Sequence, residues 1–312
     1  MIKTIAILGS TGSIGENLLK IIKKDKKNFR IILLSANSNY LKLFKQAKEF
    51  NVKNLIIKDK KGFKILQKKT KNLNIKIFND HDHFNKIFNQ RIDYVMNSIV
   101  GLEGLSPTMK IIKYTKKIVI ANKESIICGW NLIKKEIKKY KTEFIPVDSE
   151  HFSIWYALKS ISNSNVKKIY LTASGGPLLN IPKFKFNKFK ISEILNHPTW
   201  MMGKKISVDS ATLMNKVLEI LEAKKIFDID IKKLNILIHP KSYLHAIIEF
   251  NDGMIKLIAH DTTMQIPIFN SIYNKGEKQY SSKKLNIKLL NNLDLKKISD
   301  KKFPVVKILK KI

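Results

Sequence analysis

Apolar residues in the first half of the chain gather into short, β-branched runs, Thr4 to Leu8, Ile31 to Ser35, Asn54 to Ile57, Tyr94 to Asn97 and Ile118 to Ala121, with amphipathic stretches between them. Alternation of this kind predicts a parallel sheet wound with helices, because strands covered on both faces have no polar side to show. Past residue 147 the pattern changes. Val166 to Thr172, Asn235 to His239, Tyr243 to Phe250 and Met254 to Ala259 read as strands, and Asn251-Asp252-Gly253 as a hairpin turn between the last two. One long helix is expected from Ala211 to Phe227, capped by Asp209 or Ser210, with Leu213, Met214, Val217, Leu218 and Leu221 covering much of its surface. The expected organisation is an α/β chain: a doubly wound parallel sheet over 1–147, an α+β domain with a partly antiparallel sheet over 148–290, and a short linker over 291–312.

Glycines sharpen the first of these. Gly9-Ser10-Thr11-Gly12-Ser13-Ile14-Gly15 follows the first strand directly and precedes the helix-like stretch Asn17 to Lys24. Strand, glycine turn and helix in that order read as a Rossmann-like dinucleotide site, since glycines let backbone N–H groups approach a pyrophosphate and the helix N-terminus adds a favourable dipole. The spacing is GxxGxxG rather than GxGxxG, so a structural turn is the alternative reading. After the second strand, Ser35-Ala36-Asn37-Ser38-Asn39 carries no acid. NAD sites ordinarily place one there for the ribose hydroxyls, and it would repel a 2'-phosphate, so its absence favours NADPH over NADH.

Two carboxylates separated by one residue, in Val147-Asp148-Ser149-Glu150-His151, follow the apolar run Phe144-Ile145-Pro146. On an extended segment they point the same way and converge on one cation, with Mg²⁺ or Mn²⁺ as the natural third party. The alternative is that Asp148 or Ser149 caps a helix beginning near His151. On the long helix, Thr212, Asn215, Lys216 and Glu219 fall at i, i+3, i+4 and i+7 and form one polar stripe, either a functional face or a solvated one. Ala173-Ser174-Gly175-Gly176-Pro177 is a loop able to hold a phosphate or to serve only as a turn. Asn196 to Lys204, with His197, Trp200, Met202 and Gly203, lacks periodicity and reads as a lid or a packed loop.

Composition excludes several classes. The 312 residues are 44% apolar with sixteen Phe and three Trp, enough for two cores, and no stretch has the apolar length of a membrane span, so the chain reads as cytoplasmic with no membrane partner. The net charge of +34 would suit nucleic acid, but the lysines are spread over nearly every helical face and Arg appears only at Arg30 and Arg91, so no specific nucleic-acid partner is expected. Cys128, the single cysteine, rules out internal disulfides and is expected to be a buried thiol.

These motifs resemble one family. Gly9 to Gly15, Ala121-Asn122-Lys123-Glu124-Ser125, Val147 to His151, Ser174 to Pro177, His197-Pro198, the block Met202 to Glu222, and His239-Pro240 with Ser242 occur in the order and at the intervals of the 1-deoxy-D-xylulose 5-phosphate reductoisomerases. The resemblance implies an enzyme of isoprenoid precursor synthesis that rearranges a phosphorylated sugar with the help of a divalent metal. It then reduces the product with NADPH to 2-C-methyl-D-erythritol 4-phosphate. It further implies Asp148, Glu150 and Glu219 as metal ligands and Lys123, Glu150 and His197 as catalytic residues. Substrate contacts are implied at Lys123, Ser149, Glu150, Ser174, His197, Ser210, Asn215, Lys216 and Glu219, with Ser174, Ser210, Asn215 and Lys216 round the phosphate. Thr11, Gly12, Ser13, Ile14, Asn39, Asn122, Glu124 and Gly203 match positions that hold NADPH, Trp200 and Met202 belong to a closing loop, and a homodimer is implied.

Two departures qualify the match. Asn37-Ser38-Asn39 stands where the family commonly shows Gly-Lys-Asn, so one cationic contact to the 2'-phosphate is missing. The family continues into a helical C-terminal domain whose opening Lys302-Phe303-Pro304 resembles, and since the matched site residues lie before Glu222, the chemistry is expected to survive without it. The rival readings are a decayed relative retained as a basic binding protein, against which stands the presence of every motif ligand, and an NADP-dependent dehydrogenase of another substrate.

Overall fold

The computed structural model describes residues 2–312 apart from Ser160, Pro198, Met201, Met202 and Lys283. By their internal contacts the residues form two units, Met1–Val147 with Ile268–Glu277, and Asp148–Pro267 with Lys278–Ile312.

Seven parallel strands build the sheet of the first unit: β1 (Lys3–Leu8), β2 (Phe29–Ala36), β3 (Asn54–Ile57), β4 (Lys76–Phe78), β5 (Ile92–Asn97), β6 (Thr115–Ile120) and β7 (Glu143–Pro146). Their order is β4-β3-β2-β1-β5-β6-β7, so the winding reverses between β1 and β5. Ile5 to Leu8 at the centre are wholly buried, which is why the apolar runs mark the inner strands so plainly. The edge strands β4 and β7 are covered on fewer sides, carry weaker patterns, and are absent from the five runs read in the sequence.

The connecting helices are α1 (Ser13–Lys23), α2 (Tyr40–Glu49), α3 (Lys60–Thr70), α4 (Phe84–Ile87), α5 (Leu105–Ile111) and α6 (Lys123–Tyr140). Helix α1 starts four residues before the stretch Asn17 to Lys24 and buries Leu18, Leu19, Ile21 and Ile22. On α6 the buried face is Ile126, Gly129, Trp130 and Ile133. Cys128 lies off that face and is exposed, contrary to the expectation of a buried thiol: helical phase outweighs the general preference of cysteine for the interior. The returning segment is pinned at two points, where the Tyr273 hydroxyl donates to Asp25 Oδ2 at 2.8 Å and Ser271 Oγ lies 2.8 Å from the buried Tyr94 hydroxyl.

The second unit has a five-stranded mixed sheet, formed by β8 (Val166–Ala173), β9 (Leu234–Ile238), β10 (Leu244–Phe250), β11 (Ile255–Ala259) and β12 (Lys296–Lys297) in the order β11-β10-β8-β9-β12. Gly253 at φ +85° closes the expected β10–β11 hairpin. Its helices are α7 (Ser149–Leu158), α8 (Ile191–Leu195), α9 (Lys204–Ala211) and α10 (Met214–Phe227), followed by α11 (Gln265–Ile272), which leads into the first unit, and α12 (Ile287–Asn291). Ile154, Leu158, Ile220, Ala223 and Phe227 from α7 and α10 pack on Ile169, Leu171, Ala246, Ile248 and Phe250 of the sheet. Residues 291–312, expected to be a linker, instead add β12 to the sheet and bury Phe303 against Ala173, Leu213 and Ile238.

The long helix expected from Ala211 is broken. Leu213 takes a left-handed conformation, φ 62°, so Asp209 and Ser210 end the separate helix α9 rather than capping α10. That conformation is strained for a leucine, and the 2% exposure of its side chain in the core is what holds it there.

Candidate active site

In the first unit, a cleft of about 510 Å³ opens beside the glycine turn and is lined by Gly9, Thr11 and Gly12, by Ser35 to Asn37 after β2, and by Ser98 to Val100 after β5. This is where the strand order reverses, the natural place for a ligand in an open α/β sheet. Gly9 has φ +82°, and its N–H and that of Ser10 both donate to Ser35 O, at 3.1 and 2.8 Å. A Cβ on Gly15 would lie 2.6 Å from Ser10 Cα, so the helix rests directly on the turn. Gly12 is different: a Cβ there would meet nothing nearer than 3.4 Å. No side chain caps α1 at Gly12, which leaves the first-turn N–H groups of Ser13, Ile14 and Gly15 to an anion. A pyrophosphate fits this cradle.

The other residues matched to the cofactor are not among those lining this cleft. Asn122 Nδ2 donates to Ile99 O (2.6 Å) and Gly101 O (3.0 Å), holding the loop after β5. Asn39 Oδ1 caps α2 by accepting from the Lys42 N–H at 3.1 Å, and Glu124 stands in the first turn of α6 beside the buried Lys123. Gly203, in the second unit, is the N-cap of α9.

The acidic pair lies in the second unit, at a helix start rather than on the extended segment expected. Asp148 is the N-cap of α7, accepting from the Glu150 N–H at 3.3 Å, so the capping role and the convergence of carboxylates belong to the same residue. Asp148, Glu150 and Glu219 each present an oxygen, all within 4.8 Å of one another, and so fit a single hard divalent cation. Of the expected polar stripe, Thr212 precedes α10 and is exposed, but Lys216 and Glu219 are buried, 5% and 1% exposed, and form no solvated face.

Lys216 Nζ lies 2.8 Å from Glu150 Oε1 and 2.6 Å from Glu219 Oε2. Burial opposes its charge, but the two carboxylates prevail and raise its pKa. For Glu150 the balance differs: burial, with Glu219 and Asp148 nearby, outweighs the pull of Lys216 and pushes its carboxyl up to about 7. Ser149 Oγ donates to Glu150 Oε2 at 2.5 Å, and Asn215 Nδ2 donates to Glu219 Oε1. Beneath lies His151, fully buried, with Nε2 donating to Glu219 O at 2.9 Å and Nδ1 3.4 Å from both Asp148 Oδ1 and Glu222 Oε2. Burial disfavours the imidazolium, yet Glu222 and Asp148 raise it to about 9. Neither His151 nor Glu222 is singled out by the sequence motifs as a site residue; the signal for Glu222 is its place three residues after Glu219, one turn along the same helix.

A second cluster forms round His197. Its Nε2 lies 3.0 Å from Ser174 Oγ and 3.1 Å from Ser210 Oγ, while Nδ1 accepts the backbone N–H groups of Trp200 (3.0 Å) and Thr199 (3.2 Å). Those acceptor bonds place the proton on Nε2, and burial lowers the pKa, so the ring is a neutral donor. Gly176, φ +65°, brings the loop to α9, for a Cβ there would lie 2.7 Å from Ser210 O. The four residues matched to a phosphate thus divide: Ser174 and Ser210 meet at His197, whereas Asn215 and Lys216 engage carboxylates. Met202, expected in the closing loop, lies outside the described residues, as does Pro198.

Comparison with known proteins points to one family. The family model described as 1-deoxy-D-xylulose 5-phosphate reductoisomerase matches residues 5–129, and that of the family's C-terminal domain matches residues 144–227. The chain is 61% identical over 309 residues to the reductoisomerase of Pelagibacter ubique (strain HTCC1062), covering 98% of this chain and 80% of that relative. It is 38% identical to that of Clostridium kluyveri (strain NBRC 12016), covering 95% and 77%. Among solved structures, the Zymomonas mobilis enzyme in complex with NADPH superposes with a TM-score of 0.89 at 30% identity, over 100% of this chain and 81% of that one. A reductoisomerase in complex with NADPH, fosmidomycin and magnesium gives 0.92 at 32% identity, over 99% and 79%.

Proposed function

The chain belongs to the 1-deoxy-D-xylulose 5-phosphate reductoisomerase family, and from that premise we propose how its residues divide the work. The reaction is the NADPH- and divalent-metal-dependent isomerisation and reduction of 1-deoxy-D-xylulose 5-phosphate to 2-C-methyl-D-erythritol 4-phosphate, a step of the non-mevalonate isoprenoid pathway. The observation that carries our reading is the convergence of Asp148, Glu150 and Glu219 within 4.8 Å. These three hold the cation, which when bound stabilises negative charge on adjacent substrate oxygens, while NADPH furnishes the hydride. An all-oxygen ligand set suits Mg²⁺ and also Mn²⁺, which we propose as an alternative occupant.

The chain's own residues do the rest. Lys216 balances the charge of Glu150 and Glu219, and His151 with Glu222 fixes α7 against α10 below them. Ser149 and Asn215 orient the carboxylates they touch and remain the substrate contacts their motifs imply. His197 Nε2–H, Ser174 and Ser210 form a neutral donor set for the substrate phosphate, with no carboxylate among the bonds that define it. Glu150, and Lys123 by its family motif, are assigned to proton movement. In the first unit, Thr11, Gly12, Ser13 and Ile14 hold the pyrophosphate of NADPH, and Asn39, Asn122, Glu124 and Gly203 are assigned to the same cofactor by their motifs. Trp200 is assigned to a segment that closes over the site and excludes water.

A homodimer is supported by the family and by β11, an edge strand that exposes Ile255 and Leu257. A cytoplasmic location is proposed from the use of NADPH, and among the described residues no helix is long and apolar enough to cross a membrane. The test is NADPH oxidation by purified protein with deoxyxylulose phosphate and Mg²⁺ or Mn²⁺. Folded, metal-loaded protein that oxidises no NADPH would overturn the assignment.

A further inference from the structure

Resting on the NADPH reading above, we propose that Lys58 is the residue that recognises the 2'-phosphate of the cofactor and so sets NADPH over NADH. The turn after β2 is the place where a dinucleotide fold reads the adenosine ribose, and here it offers Asn37, Ser38 and Asn39 but no cation. The Asn39 side chain is already engaged as the cap of α2. The needed charge comes from the neighbouring strand. Ala36 pairs with Ile57 across the β2–β3 ladder, the Lys58 N–H donates to Ala36 O at 3.2 Å, and the Asp59 N–H donates to Asn37 O at 2.8 Å. Lys58 therefore emerges level with Asn37, and both line the same cleft as Thr11 and Gly12.

The other charges around that cleft are largely committed. Lys110 is ion-paired with Asp82, and Asp80 Oδ1 lies 2.7 Å from His83 Nδ1. Asp59, next in sequence, turns its carboxylate to the Gly62 N–H at 2.6 Å as the cap of α3. His81 is buried in the cleft wall, and burial together with Lys58 and Lys110 pushes it down to about 4, so it is neutral at physiological pH. Lys58 is exposed, and the carboxylate that feels its charge is Asp80, which is already engaged by His83. An exposed ammonium beside the ribose turn gains a charge-assisted hydrogen bond from a phosphate and much less from the hydroxyl of NADH. Glu103, also on the cleft lining, offers nothing to a phosphate and leaves the discrimination to Lys58.

The experiment uses the full chain and two probes, 2',5'-ADP and 5'-ADP, titrated by calorimetry into wild type, Lys58→Ala, and Lys58→Ala with Ser38→Lys. Wild type should bind 2',5'-ADP at least about tenfold more tightly than 5'-ADP, the size of one hydrogen bond to a charged group. Lys58→Ala should remove most of that ratio, and Ser38→Lys should restore it by supplying the charge from the β2 turn. The ratio of kcat/KM for NADPH to that for NADH should follow the same order, at unchanged Tm. Retention of the wild-type ratio in Lys58→Ala, or no preference in wild type, overturns the inference while NADPH use stands. If wild type binds neither probe nor NADPH, the cofactor reading itself fails and the inference with it.

Discussion

The cleft of the first unit and the carboxylate cluster of the second are built from different materials. The cleft is made of backbone: Gly9 and Gly15 let the turn fold tightly against β2 and α1, and the helix N-terminus after Gly12 offers its N–H groups to an anion. The cluster is made of buried side-chain charge, with Asp148 and Glu150 from one helix and Lys216, Glu219 and Glu222 from another some seventy residues later. A backbone site is insensitive to most side-chain changes but intolerant of an added Cβ. A charge site is tolerant of small shape changes and intolerant of a lost charge, since every buried group there depends on its neighbours.

The largest test of that contrast is Glu219→Gln. It keeps the volume and removes one anionic ligand, so Mg²⁺ affinity measured by calorimetry should fall and kcat/KM with deoxyxylulose phosphate should drop on the order of 100-fold or more. NADPH binding by fluorescence should change little. Wild-type metal binding in this variant would break the comparison, because the carboxylates would then be structural only.

Next is His197→Ala. Loss of a donor to a charged phosphate should raise KM for the substrate about tenfold or more, with Tm nearly unchanged. A fall confined to kcat would instead place His197 in the proton chemistry.

For the cleft, Gly15→Ala forces a Cβ to within 2.6 Å of Ser10 Cα, backbone against backbone. Overpacking of this kind costs about 1–3 kcal/mol and should lower Tm by several degrees while weakening NADPH binding. Gly12→Ala has room and should cost less stability. Equal stability losses in the two variants would contradict the view that Gly15 is fixed by packing and Gly12 by the ligand.

The smallest effect concerns pH. The folded-state pKa of His151 is raised from 6.5 to about 9, so its stabilisation is fully present below 6.5 and is lost as pH rises through 9. Glu150, raised from 4.5 to about 7, holds a proton in the folded state that the unfolded chain has released, and that contribution too is gone above 7. Tm of metal-free protein should therefore fall between pH 7 and 9, and Glu222→Gln should flatten the fall by removing the main charge that raises His151. A flat or rising wild-type profile would show that the imidazolium is not held in this way.

Much of the first unit was written locally. Its inner strands are continuous apolar runs because both faces are covered, and the turn from Gly9 to Gly15 announces itself because its donors sit within seven consecutive residues. Acidic residues, too, were visible as a pair and as a stripe, and the family motifs linked Glu219 to Asp148 and Glu150. Part of what the residues alone left open was answered by tertiary structure: Asp148 caps α7, and Lys216 and Glu219 of the stripe are buried rather than solvated. Packing of α7 and α10 on one face of the second sheet buries Lys216 and Glu219 and brings three carboxylates together, turning a stripe that would be ordinary in water into a set of interdependent charges. The break at Leu213 was invisible for the same reason, since helical periodicity runs straight through a residue whose left-handed backbone is imposed by the core it enters. So was the place of Lys58, one lysine among many along the chain, which gains its position beside the ribose turn only when β3 pairs with β2.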